Sequence, residues 1–181
     1  MKKILLIIFV IMSVINVQAQ RLLSRTGHIW IYSKTPLEEI EADNREVASI
    51  LNTSDGSLQI SMLIKSFQFK RTLMQEHFNE EYMESDKLPK STFVGKITNI
   101  SEVNFKKDGE YPATAAGDLT IHGVTKKVTI TGKVIVKGST VSIKTKFEVV
   151  PQDYDITIPD LVAGKIAQQI DVNVDIPYQN K

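Results

Sequence analysis

Along most of this chain apolar and polar residues alternate with period two, the mark of β-strands that bury one face. In the C-terminal segment Ile166, Ile170, Val172, Val174, Ile176 and Tyr178 share one parity, while Gln169, Asp171, Asn173 and Asp175 take the other. A helix, with its longer period, cannot gather that set on one side. Val141, Ile143, Phe147 and Val149 alternate with Ser142, Lys144, Lys146 and Glu148, and before them Val128, Ile130, Val134 and Val136 alternate with Lys127, Thr129, Lys133 and Lys137. Lys137-Gly138-Ser139 links these two strands as a hairpin, and a turn at Gly123-Val124-Thr125 links the earlier one to a strand bearing Leu119 and Ile121.

Upstream, Phe93, Gly95, Ile97, Val103 and Phe105 predict one long strand. Leu58, Ile60, Met62 and Ile64 begin another, and Phe67 and Phe69 continue it on the opposite parity, as a bulge near Lys65-Ser66 would cause. Residues 27–33 and the weaker segment 45–52 bring the candidate strands to eight. Eight antiparallel strands can close into a barrel with room for one small ligand, and closure removes exposed sheet edges. The expected fold is therefore all-β with minor helix, an eight-stranded barrel; a two-sheet sandwich has the same periodicity.

Residues 70–84 break the pattern. Met74, Phe78 and Tyr82 recur every four residues, with Leu73 and His77 beside them and Glu76, Asn79, Glu80 and Glu81 polar, so a short amphipathic helix is expected. Its apolar face either lids the barrel or completes the core. A second short helix is expected over residues 161–167.

The first nineteen residues have the grammar of a cleavable leader: Lys2 and Lys3, an apolar run over 4–12, then small and polar residues ending Val17-Gln18-Ala19. A retained anchor needs roughly 20 apolar residues, and Ser13 and Asn16 interrupt this run early. The expected organisation is a signal peptide over 1–19 and one domain over 20–181, exported to a periplasm or secreted. The chain has no cysteine, hence no thiol for lipidation and no disulfide, and no stable membrane anchor is expected after cleavage. With Lys2 and Lys3 gone, the 22 Lys and Arg fall to 20 against 21 Asp and Glu, a formal charge of about −1. The remaining lysines are scattered along strands rather than gathered in a stripe, which argues against nucleic acid as a partner. The acidic stretch 38–43 lacks calcium-loop spacing and its turn glycine, and reads as a solvated surface turn.

Three stretches together resemble the YceI-like family. They are His77-Phe78-Asn79-Glu80-Glu81-Tyr82 running on to Leu88-Pro89-Lys90-Ser91-Thr92-Phe93, then Gly117-Asp118-Leu119-Thr120-Ile121-His122-Gly123-Val124-Thr125-Lys126-Lys127-Val128, and finally residues 147–158 with Asp153-Tyr154-Asp155-Ile156. The resemblance covers the expected mature chain in order. It implies a lipocalin-like eight-stranded barrel, exported to the bacterial periplasm, whose interior binds a polyisoprenoid or another long amphiphile. This chain departs from the family pattern in lacking an aspartate shortly before His77 and in the acidity of Asn79-Glu80-Glu81.

The residues themselves offer little reactive chemistry. His28, His77 and His122 lie far apart with no second ligand at metal-site spacing, and there is neither a Gly-x-Ser-x-Gly turn nor a phosphate-cradling glycine loop. No metal, cofactor or catalytic residue is therefore expected; His28 reads as a strand residue and His122 as a turn residue. An apolar chain needs no such motif to bind, because each buried methylene contributes about 0.8 kcal/mol. Aliphatic walls suit isoprenoids, fatty acids and fatty amides alike. The candidate lining residues are Phe67, Phe69, Leu73, Met74, Phe78, Tyr82, Phe93, Ile97, Leu119, Ile121, Ile130, Val134, Ile143 and Phe147, with His77 at the edge of the helix face. Two other readings compete with a lipid carrier: an envelope interaction protein with a solid barrel and functional loops, and an enzyme using His77 on a bound lipid. The pattern is compatible with a monomer or an oligomer.

Overall fold

A computed structural model describes residues 21–179. The expected leader and the new N-terminus Gln20 lie outside the described residues. Nine strands form in chain order: β1 (Arg21–Lys34), β2 (Glu39–Asn52), β3 (Ser57–Leu63), β4 (Gln68–Phe69), β5 (Lys90–Ile97), β6 (Gly109–Ile121), β7 (Val124–Lys137), β8 (Thr140–Val149) and β9 (Ile170–Gln179). Two short helices accompany them, α1 (Thr72–His77) and α2 (Asp160–Ala163). All strand pairings are antiparallel, in the order β1-β9-β8-β7-β6-β5-β3-β2, and β1 pairs with β2 to close the ring. The two-residue β4 lies outside that ring, with Phe69 opposite Ala42 of β2.

The closed ring has two unlike ends. The turns 53–56 and 138–139, the loop 98–108 and the last residues of β9 gather at one end. There Leu22, Leu51, Val134, Val136, Val141, Ile176 and Tyr178 pack as a solid layer, which we call the floor. Tyr178 is fully buried, and its hydroxyl meets Ser49 Oγ at 2.6 Å, while Ser49 Oγ also donates to the Gln59 carbonyl at 3.0 Å. A serine hydroxyl has one proton, so Tyr178 donates to Ser49 and Ser49 donates onward. At the other end lie the turn 35–38, both helices, the hairpin turn at His122-Gly123 and the segment 150–169 that leads into β9.

Several boundaries differ from the alternation. Strand β5 stops at Ile97, so Val103 and Phe105 lie in a loop and not in one long strand with Phe93. Asn99 ends it by substituting for the ladder: its Oδ1 accepts from Thr114 N at 2.9 Å and its Nδ2 donates to the Pro112 carbonyl at 3.0 Å. Strand β2 begins at Glu39, so most of the acidic stretch 38–43 is strand instead of turn. Its inward position Asn44 hid the period, yet this side chain is fully buried and satisfied by the Leu63 carbonyl and Glu46 N. The phase change after Ile64 comes from a 3-10 turn, Ile64–Ser66, and not from a bulge in a continuous strand. The barrel's bulge instead sits in β1 around Gly27, where the register against β2 shifts twice. The second helix is shorter than 161–167, ending at Ala163. In the β6–β7 hairpin the turn residues are His122 and Gly123, both with positive φ, the conformation that matches a two-residue hairpin to strand twist.

Candidate functional site

Above the floor the barrel is hollow, with a cavity of about 340 Å³. Inward residues of the strands supply its wall: Ile29 and Ile31 from β1, Ile60 and Met62 from β3, Phe93 and Ile97 from β5, Leu119 and Ile121 from β6, Ile143 and Phe147 from β8. The 3-10 turn brings Ile64, Phe67 and Phe69 to the same wall as Ile60 and Met62, which explains why aromatic residues of opposite sequence parity share one surface.

The first helix closes part of the open end. No side chain caps α1, and the Gln75 amide ties it to β4 by accepting from Phe69 N at 3.1 Å. It continues into a π-helical turn, Phe78–Tyr82, closed by Met83 N donating to the Phe78 carbonyl at 2.9 Å. Met74, His77, Phe78 and Tyr82 share one face at ordinary helical spacing, and the wider turn adds Met83, which an unbroken α-helix would rotate away from the cavity. Phe78 is the keystone, with its ring 5.5 Å edge-on from Phe67 and 4.9 Å from Phe69.

Thirteen of the fifteen residues picked from sequence therefore border one cavity: Phe67, Phe69, Met74, His77, Phe78, Tyr82, Phe93, Ile97, Leu119, Ile121, Ile130, Ile143 and Phe147. Two do not. Leu73 is 60% exposed, because the helix turns Met74 inward and its neighbour is rotated outward by about 100°. Val134 is fully buried but belongs to the packed floor. Period two identifies the inward face of a strand and says nothing of depth along the barrel axis. Reasoning from the sequence also passed over Ile156, Ile158, Val162 and Ile166, which cover the open end from the irregular segment before β9. Ile166 shares the parity of the C-terminal set but lies outside β9, which begins only at Ile170, and the other three stand out only by a local richness in branched aliphatic residues.

Polar groups are few and sit mainly at the rim. Glu38 is ion-paired with Arg71 at the start of α1, His77 Nε2 lies 3.9 Å from Glu81, and Lys165 is exposed. The Tyr82 hydroxyl is held above its usual pKa by partial burial and then by the Glu81 charge. At the start of β5, near the open end, Ser91 Oγ is buried with no hydrogen-bond partner among the described residues. His122 is the residue of its type most built into the fold: Nδ1 donates to the Tyr154 carbonyl at 3.1 Å, linking the β6–β7 hairpin to the segment after β8. His28 sits on the outer face of β1, 2.5 Å from Asp43 and stacked on Trp30. Among the described residues no three His, Cys, Asp or Glu side chains converge as a metal site would require.

This arrangement has close counterparts among solved structures. BcnA of Burkholderia cenocepacia superposes with a TM-score of 0.69 at 15% identity, covering 83% of this chain and 95% of that one. A polyisoprenoid-binding domain from Saccharophagus degradans, implicated in plant cell wall breakdown, superposes at 0.76 with 11% identity over 89% and 98%. The Campylobacter jejuni YCEI protein gives 0.60 at 16% identity over 77% and 84%. At such identities the likeness establishes the fold. Comparison with curated protein sequences returns no match. The sequence does match the model of the YceI-like domain over residues 32–178, nearly the whole barrel, and the chain belongs to that family.

Proposed function

We propose that this protein is an exported, non-enzymatic carrier that holds the apolar chain of a polyisoprenoid or similar long amphiphile inside its barrel. The observation that carries the reading is the cavity: about 340 Å³ of space bounded by aliphatic and aromatic side chains above a solid floor. That volume lies within the range of small-molecule sites, roughly 300–1,000 Å³. About ten buried methylenes would contribute roughly 8 kcal/mol before association costs, enough for retention with little polar specificity. Hydrocarbon walls hold a chain without acting on it, which favours binding over turnover. The rim groups Glu38, His77 and Lys165 suit a polar headgroup left at the water-facing end. Export to a periplasm rests on the leader pattern of residues 1–19. The polyisoprenoid-binding character of the Saccharophagus degradans domain supports the ligand class.

The test is native mass spectrometry of the mature protein isolated from its own host's envelope fraction, followed by organic extraction. A stoichiometric long-chain amphiphile is expected. In Ala115→Trp, which fills the cavity from a small wall residue, retention should fall while the fold persists by circular dichroism. An apo mass that stays unchanged after incubation with prenyl alcohols and fatty acids would refute the proposal.

A further inference from the structure

Resting on that reading of the cavity, we propose that the barrel has a second opening, a slit in its wall between β7 and β8, through which a chain longer than the cavity passes out. Backbone pairing between these strands runs from Lys137↔Thr140 to Gly132↔Thr145 and stops there. Beyond that rung, residues 124–131 of β7 stay paired to β6, and residues 146–149 of β8 stay paired to β9. Each strand keeps its other neighbour while the two part from one another.

The slit has a built frame. At its lower end Gly132 allows the closest approach, since a Cβ there would lie 2.6 Å from the Lys144 carbonyl and 2.7 Å from Thr145 Cβ. Thr145 Oγ1 then donates to the Thr131 carbonyl at 2.6 Å, so a side chain ends the ladder and satisfies the first carbonyl past the last rung. At the upper end the chain leaving β8 crosses over as a 3-10 turn, Pro151–Tyr154. Asp153 pairs with Lys126 of β7 at 3.1 Å, and the Tyr154 carbonyl accepts from His122. Between these two fastenings the β7 edge runs for about 20 Å at the usual rise per residue.

Cavity and outer surface come close together at the lower end of the slit. Gly132, Lys133, Thr145 and Val174 border the inner cavity and also a groove on the outer surface beside Trp30 and Lys146. Lys133 is an outward residue, paired with Glu110 on the outer face at 2.7 Å, and yet it borders the inner cavity. The lower end of the slit lies at the level where the cavity meets the floor, because Gly132 stands opposite Ala113, a wall residue, and Val134 in the next inward position is already packed solid. A chain entering past α1 and stopped by the Tyr178 layer therefore has a lateral way out just above the Gly132–Thr145 rung, where pairing between β7 and β8 ends.

The experiment measures affinity for prenyl alcohols of increasing length, from geraniol to solanesol. The chain is cysteine-free, so a bulky maleimide can be placed on Thr131→Cys at the slit, or on Ser139→Cys in the far turn as control. In the unlabelled protein affinity should rise about fourfold per buried methylene and then level off without falling. The Thr131→Cys label should leave short chains unaffected, showing an intact fold, and weaken the longest by about tenfold or more, while the Ser139→Cys label changes neither. A sharp fall beyond some length in the unlabelled protein, or identical length profiles for the two labelled proteins, would overturn the slit and leave the carrier standing. Failure to retain a chain of any length would overturn both.

Discussion

The floor's hydrogen-bond relay makes an unequal prediction for its two members. Tyr178 donates to Ser49, and Ser49 donates to the Gln59 carbonyl, with the Tyr178 and Ser49 side chains both within a layer closed to water. Tyr178→Phe removes one donor and leaves Ser49 Oγ still donating, so the expected cost is that of a single net hydrogen bond, about 1 kcal/mol. Ser49→Ala strands the Tyr178 hydroxyl in a fully buried site, and its expected cost is about 2–3 kcal/mol. The double variant should be more stable than Ser49→Ala alone, by about 1 kcal/mol or more, because it removes the Tyr178 hydroxyl that the single change strands in the buried layer. Urea unfolding of the mature protein and the three variants at neutral pH, followed by circular dichroism with m-values compared, measures each difference directly. The reasoning is refuted if Tyr178→Phe costs as much as Ser49→Ala, or if adding Tyr178→Phe to Ser49→Ala lowers stability further.

Three further outcomes follow from the same geometry. Burial, outweighing the bond from Ser49, raises the Tyr178 pKa above its unfolded value of 10.0, so its contribution is intact below that pH and is lost as pH rises past it. Urea midpoints taken just below and about one unit above pH 10 should show wild type losing roughly 1 kcal/mol more than Tyr178→Phe over that interval. Gly117→Ala should destabilise by about 1–3 kcal/mol in the same assay, since Gly117 faces Gly95 across β5 and β6 and its Cβ would stand 2.5 Å from both Gly95 Cα and the Val94 carbonyl. Phe78→Ala removes both ring contacts that hold the lid, worth about 0.5–1.5 kcal/mol each, so release of a loaded fluorescent fatty acid should accelerate by about tenfold or more in stopped flow.

The parts of this fold that were legible in sequence are those where one face of a strand is almost wholly apolar. Residues 141–149 and 170–178 show this best, since every outward residue there is polar or Pro177 and nearly every inward one is apolar. Legibility failed where a polar side chain turns inward and finds its partners at long range, as Asn44 does with the Leu63 carbonyl. It failed again where side chains replace the backbone ladder, as at Asn99, and where a 3-10 turn resets the phase between Met62 and Phe67. For the site, parity placed Phe93, Ile97, Leu119 and Ile143 on the correct face but could not tell them from Val134, which shares that orientation and lies in the solid layer. Helical spacing located Met74 and Phe78; Ile156, Ile158 and Val162, which cover the opening, belong to an irregular segment with no sustained spacing.

Ring closure also orders events in time. The seam that completes the barrel joins β1 to β9, the first and last strands of the described chain, and the Tyr178–Ser49 bond spans 129 residues of sequence. Synthesis delivers the N-terminal half first, so one edge of β1 waits, open and able to recruit a stray strand, while everything between is made. Contacts of such separation are slow to form and reward the chain only when nearly all of it is in hand. A nascent chain cut short before Ile170 would be an open sheet without floor or seam; it becomes a container only when the ten residues of β9 arrive.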